Sequence, residues 1–370
     1  MSRLPRTAIN DLLGCTHPII QTAMGWVAKP ELVAASCNAG AFGFLACAVM
    51  NPAEVGPSID RVRQLTQRPF GVNFHMHQPG AAEIVEIIIA KRVGAVSFGR
   101  GPDRNMIERF RRAGICCVPT VGAVKHARKM AEFGVDMLVV QGGEGGGHTG
   151  SVATTVLLPQ VLDAVRIPVV AAGGFCDGRG LVAALAFGAQ GIAMGTRFLM
   201  TQESPVPLST KERYVAASTD DIFVTDRLDG LPQRMIRNRF TGWLENAGAL
   251  GMLAAAPANA ARLKRITGTS TVAMIKSALG MMKGAELSLG QALMAANAPV
   301  LIRRAIEDGE ADAGIMATVQ VAGRLQDLPT CEVLVRRIVA EAEERLAGLC
   351  GAECSPLVDD VRRGAHADSH

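Results

Sequence analysis

Residues 141–150 read Gln-Gly-Gly-Glu-Gly-Gly-Gly-His-Thr-Gly. The apolar run Met137-Leu138-Val139-Val140 leads into them and has the length and branching of a buried strand. The chain then sheds nearly all its side chains and presents one imidazole, His148. Glycines let a backbone approach a flat or phosphorylated ligand closely and admit positive φ. Histidine gives and takes protons near neutral pH. Together they point to proton transfer beside a closely held ligand. The same residues also read as a flexible loop with a solvated histidine, and the segments around them weigh between the two.

Two further glycine turns follow, Ala171-Ala172-Gly173-Gly174 and Gly191-Ile192-Ala193-Met194-Gly195-Thr196. Open backbone N–H groups there would serve a phosphate, and Thr196 adds a hydroxyl. Asn73 and Gln141 end apolar runs. Each carries a donor and an acceptor, which suits a planar heterocycle. Asn73 also reads as a helix cap or Asx turn. Phosphate, flat heterocycle and glycine wall together describe flavin mononucleotide, FMN. His75 and His77 share one face of an extended segment, but no carboxylate cluster joins them, so no metal site is expected. Glu144 either orients His148 or is solvated.

These residues need elements to position them. Apolar strand runs fall at 18–24, 42–49, 70–74, 95–98, 116–121, 137–141, 168–174 and 191–196, with helical patterns between them. Uniformly apolar runs are buried on both faces, as in parallel sheets. Eight such units predict an α/β fold, a (β/α)8 TIM barrel with an inserted or appended helical lobe. An open doubly wound sheet is the alternative. In a barrel the strand ends Ala23-Met24, Asn73, Gln141, Gly173-Gly174 and Gly195-Thr196 share one mouth, with the phosphate at the last two.

The expected organisation is a barrel over 1–225, a helical substrate lobe over 226–300, returning helices over 301–350 and a tail over 351–370. The second region shows helical segments and no strand signal. Arg234, Arg237, Arg239, Arg262, Lys264 and Arg265 cluster there, either as a solvated face or to meet phosphates.

Composition excludes several classes. The chain has 370 residues, 49% hydrophobic, with net charge +4 and 4% aromatics. Scattered charge and few aromatics argue against nucleic acid. No apolar stretch reaches the roughly 18 residues of a membrane span. Nine cysteines without C-x-x-C spacing read as reduced thiols, so a cytoplasmic protein is expected.

The motif Gln-Gly-x-Glu-x-Gly-Gly-His-x-Gly, then Ala-Ala-Gly-Gly and Gly-x-x-x-x-Gly-Thr-x-Phe, resembles the nitronate monooxygenase superfamily of flavin-dependent barrels. The opening Pro18-Ile19-Ile20-Gln21 and the run Phe70-Gly71-Val72-Asn73 match as well. The resemblance covers roughly residues 10–345. It implies FMN held by Ala23, Met24, Asn73, Gln141, Gly146, Gly173, Gly174, Ala193, Met194, Gly195 and Thr196, with His148 as catalytic base. Many members have Gln where this chain has Ala193, so that contact is expected through backbone. Residues 22–28, 140–156, 173–178 and 293–297 resemble a narrower branch, the flavin-dependent acyl-CoA dehydrogenases of steroid CD-ring degradation. That implies an acyl-CoA substrate, with NAD or another acceptor reoxidising the flavin, and a homodimer is compatible with it. A nitronate monooxygenase, an enoyl-thioester reductase and a non-catalytic binder of a phosphorylated ligand stay open.

Overall fold

The computed structural model describes residues 4–76, 78–99, 103–247 and 289–351. Residues 248–288 of the expected 226–300 lobe, with Arg262, Lys264 and Arg265, lie outside them, as do His77 and the tail beyond 351.

The strands and helices alternate from the start. β1 (Ile19–Gln21), β2 (Phe42–Ala46), β3 (Gly71–His75) and β4 (Ala95–Gly99) are separated by α2 (Pro30–Asn38), α3 (Pro52–Leu65) and α4 (Ala81–Lys91), while α1 (Ala8–Leu13) precedes β1. Then come α5 (Arg104–Arg112), β5 (Cys116–Cys117), β6 (Thr120–Val121), α6 (Val124–Glu132), β7 (Leu138–Gln141), β8 (Gly147–His148), α7 (Thr154–Ala164), β9 (Val169–Ala172), α8 (Gly178–Ala186), β10 (Ile192–Met194) and α9 (Thr196–Leu199). Local chemistry sets the helix starts. Prolines stand in the first turn of α2 and α3, where a missing N–H costs no bond. The Asp103 carboxylate caps α5 by accepting from the Met106 N–H at 2.8 Å.

The parallel sheet runs β5-β4-β3-β2-β1-β10-β9-β7-β6. Its two ends, β5 and β6, are halves of one expected strand. Pro119 lacks the N–H to continue a ladder, so the 116–121 run divides there. The first half pairs with β4 and the second with β7. The Val118 N–H donates to Val96 O at 2.8 Å, and Pro119 O accepts from the Val139 N–H at 3.0 Å. The divided strand thereby closes the ring, giving the (β/α)8 barrel.

Strand alternation divides the core. Ile20, Phe42, Phe44, Ala95, Val118, Val139, Val170, Ala172 and Ala193 form one buried cluster with Ile9 and Leu13 of α1. The residues that alternate with them along the strands, Ile19, Leu45, Val72, Val96, Leu138, Val140, Val169 and Ile192, belong to the larger cluster under the helices. Phe74 is fully buried there and meets Phe98 and Phe110 edge-on, with centroids 6.3 and 5.9 Å away.

After the barrel come α10 (Leu208–Ala216), β11 (Ile222–Thr225), β12 (Gln233–Ile236), α11 (Arg239–Asn246), α12 (Leu289–Ile306) and α13 (Cys331–Gly351). The region expected to lack strands contains β12. It forms an antiparallel sheet of order β11-β12-β8, so the post-barrel chain pairs with the glycine loop itself. A 3-10 turn, Gln320–Arg324, falls in the stretch expected to hold returning helices. Leu228, Phe223, Met235, Leu244, Leu301 and Ile315 pack as a separate cluster beneath this sheet.

Phe74→Ala should lower unfolding stability by about 3–5 kcal/mol, because it opens a cavity in the large core. Leu208→Ala, at a position 61% exposed, should change it by less than about 0.5 kcal/mol. Urea titrations followed by circular dichroism check both.

Candidate active site

The carboxyl ends of the barrel strands surround one cavity of about 460 Å³. The end of β1 supplies Ala23 and Met24, β3 supplies Asn73, and β7 supplies Gln141. Gly146 and His148 come from the glycine loop, Gly173 and Gly174 follow β9, and Ala193, Met194, Gly195 and Thr196 come from β10 and its turn. Every residue expected from sequence to hold a cofactor or move a proton thus lines the same space. His75 lines it too.

One side of the cavity suits a phosphate. Gly173 and Gly174 have φ of 94° and 81°, a conformation that disfavours any other residue. Among the described residues, the backbone N–H groups of Gly174, Gly195 and Thr196 donate to no protein acceptor. Thr196 Oγ1 accepts from the Val319 N–H at 3.2 Å and keeps its own proton to give. Unpaired donors around glycine-opened backbone fit an anionic group, so the flavin phosphate fits here. The Asn73 amide donates to Ser97 O at 3.1 Å.

Trp26, Val49, Leu199, Ile302 and Ile306 make an apolar wall. Trp26 has φ of 62°, uncommon for a bulky residue. The turn around it is fixed by Met24 O, which accepts from the Val27 and Ala28 N–H groups at 3.1 and 2.9 Å.

The glycine loop is tied down from several directions. Gln141 donates through Nε2 to His148 O at 2.9 Å, so this amide holds the loop as well as facing the cavity. Arg234 on β12 donates to Gly143 O at 2.7 Å, to Gly145 O at 3.2 Å and to Gln320. It is a brace on the loop and not part of a solvated helix face. Arg237 lies over the Phe223 ring, 4.4 Å from its centroid. Glu144 neither orients His148 nor stays solvated. Its carboxylate accepts from the Thr154 N–H at 2.9 Å and the Thr154 hydroxyl at 2.6 Å, at the start of α7.

Among the described residues, the His148 ring meets Asp229, with Oδ2 2.7 Å from Nε2, and the Gln233 amide nitrogen, 3.3 Å from the same atom. The turn between β11 and β12 delivers Asp229. Gln233 pairs with His148 across the sheet, and Pro232 O accepts from the Thr149 N–H at 3.0 Å. The chain therefore doubles back over the imidazole. Burial pushes the Asp229 carboxyl up, but hydrogen bonds from His148 and Gln233, the His148 charge and the Leu231 N–H outweigh it and hold it below the usual carboxylate range. The imidazole is half exposed, while Asp229 is 14% exposed.

A family model for nitronate monooxygenase matches residues 6–341. The chain belongs to the nitronate monooxygenase family. Members of this family are flavin-dependent oxidoreductases, and the chain is an enzyme of that kind. It is 47% identical over 344 residues to the (3aS,4S,5R,7aS)-5-hydroxy-7a-methyl-1-oxo-octahydro-1H-indene-4-carboxyl-CoA dehydrogenase of Rhodococcus jostii, covering 93% of this chain and 98% of that protein. A protein of the same name from Mycobacterium tuberculosis is 48% identical over 340 residues, covering 91% and 96%. Among solved structures, FabK from Thermotoga maritima is similar with a TM-score of 0.77 and 31% identity, over 94% of this chain and 99% of that one. Among the described residues, no helix is long and apolar enough to cross a membrane.

Sequence reading missed Asp229, Gln233 and the bracing role of Arg234. A signal existed. Ile222-Phe223-Val224-Thr225 is a β-branched and aromatic run, and Asp229-Gly230 is a turn pair. Arg234→Met should speed amide hydrogen exchange of the 141–150 segment at least several-fold while leaving β2 and β3 unchanged. Exchange followed by mass spectrometry checks this.

Proposed function

We propose that the protein is an FMN-dependent acyl-CoA dehydrogenase that introduces a C=C bond α,β to the thioester of a 5-hydroxy-7a-methyl-1-oxo-octahydroindene-4-carboxyl-CoA. The observation that carries this reading is the convergence of His148, the unpaired N–H groups of Gly174, Gly195 and Thr196, and an apolar wall on one cavity. The likeness to the named dehydrogenases over more than nine-tenths of the chain supports this substrate over a nitronate.

FMN, when bound, supplies the acceptor for the hydride that leaves the β-carbon. Ala23, Met24, Asn73, Gln141, Gly146, Gly173, Gly174 and Ala193 to Thr196 would hold it, with Gly174, Gly195 and Thr196 on the phosphate. The chain's own chemistry is proton transfer. His148 takes the proton from the carbon beside the thioester, whose acidity comes from the adjacent carbonyl. A positioned base of this kind contributes about 10²–10⁴ in rate. Enolate charge growing on the thioester oxygen would be stabilised by glycine-loop N–H groups. Trp26, Val49, Leu199, Ile302 and Ile306 would shelter the fused carbocycle and exclude water. NAD is the proposed acceptor that reoxidises the flavin.

The direct test is an anaerobic visible spectrum of the flavin-loaded protein. It is titrated with the indane-carboxyl-CoA in one cuvette and a propyl nitronate in another. Bleaching by the thioester alone is expected. Bleaching by the nitronate alone would replace this reading with a nitronate monooxygenase, and a sample that takes up no flavin would overturn both. His148→Ala should retain flavin and lose about 10²–10⁴ in the rate of bleaching. Loss of flavin binding instead would make His148 structural.

A further inference from the structure

We infer that Asp229 is the positioning residue of the base, fixing the His148 ring with its proton on Nε2 and leaving Nδ1 to receive the substrate proton. This deepens the reading above and rests on His148 being the base. The grounds are geometric. Asp229 Oδ2 is 2.7 Å from His148 Nε2. Its other oxygen, Oδ1, accepts from the Leu231 N–H at 3.1 Å. The Gln233 amide nitrogen lies 3.3 Å from the same Nε2 and donates to Asp229. The carboxylate is thus held at both oxygens and faces the ring nitrogen as an acceptor. A neutral imidazole carries one N–H, and an acceptor on one nitrogen places it there. Among the described residues, Nδ1 has no partner, and the ring lines the cavity.

The proton balance is simple. The C–H bond beside the thioester breaks, its proton goes to Nδ1, and its electron pair forms the new double bond as hydride leaves the β-carbon for the flavin. The ring becomes an imidazolium with both nitrogens protonated. Asp229 faces that charge through Nε2–H and remains ionised. Its carboxyl sits below the usual range, so it is already anionic where an imidazole titrates. Among the described residues, the other charged or titratable groups on the loop and cavity are Glu144, engaged with Thr154, Arg234, engaged with loop carbonyls, and His75 on the cavity wall.

The fold brings this carboxylate in from outside the barrel strands. It stands on a turn whose core anchor is the fully buried Leu228, and its strand β12 pairs with the loop that bears the base. Base and orienter come from segments 81 residues apart, joined by one antiparallel ladder.

Two measurements test this. Nitrogen-15 NMR of histidine-labelled wild-type protein, with the His148 signal assigned by its absence in His148→Ala, needs no substrate. The expected result at neutral pH is the Nε2–H form. An Nδ1–H form or an even mixture would overturn the inference whatever the substrate proves to be. The second is Asp229→Asn with flavin content and melting temperature monitored. An amide there can also donate to Nε2 and favour the other tautomer, so kcat should fall about 10²–10⁴-fold with KM nearly unchanged. The acid limb of kcat/KM should move to lower pH, since the anion that favoured the protonated ring is gone. A variant that keeps flavin, with kcat within twofold and an unmoved acid limb, would make Asp229 merely a hairpin residue. Should wild-type enzyme leave the thioester untouched, the function assignment fails while the tautomer measurement still decides the role of Asp229.

Discussion

The pairing of Gly147 and His148 with Arg234 and Gln233 is the contact on which the site depends. A loop of glycines has almost no side chains with which to hold itself, and each glycine gives up more freedom on ordering than any other residue. Here order is lent from outside. β12 supplies a ladder, Arg234 supplies donors to two loop carbonyls, and Gln141 supplies a third clamp at His148 O. The loop can then keep backbone open to a ligand on one side while its imidazole stays placed on the other.

The barrel contributes a different constraint. Parallel strands closed in a ring put all their carboxyl ends on one face, so residues more than 170 positions apart in sequence, such as Ala23 and Thr196, reach one cavity. The parts are divided by chemistry. The turns after β9 and β10 offer backbone donors, β3 and β7 offer amides, and helix α12 and the Trp26 turn offer apolar surface. The buried cysteines take no part. Burial pushes Cys15 and Cys176 to about 11 and Cys37 and Cys47 to about 12, so they stay protonated and serve as packing.

Much of this was legible in the sequence because it is local. A parallel strand buried on both faces writes itself as a short apolar run, and the residue after the run faces the mouth. Asn73, Gln141, Gly174 and Thr196 follow from that rule. The fifth strand was read as continuous, although Pro119 lies within it and divides it. What was not legible is what depends on pairing at a distance. Glu144 sits four residues from His148 yet turns to Thr154, and Asp229 lies far along the chain yet touches the ring. Sequence spacing in a glycine loop carries no direction, and the partner of β8 lay in a region read as helical. The β-branched run 222–225 and the Asp229-Gly230 turn pointed to a hairpin there. Their pairing with the glycine loop needed the structure.

The measurement that bears most directly on the account is stopped-flow reduction of the flavin-loaded enzyme without oxygen, using indane-carboxyl-CoA deuterated at the carbon beside the thioester. If His148 removes that proton in the step that reduces the flavin, bleaching should be several-fold slower with the deuterated substrate than with the undeuterated one. Bleaching at equal rates with both isotopologues, under conditions where binding is not limiting, would contradict proton removal as part of that step.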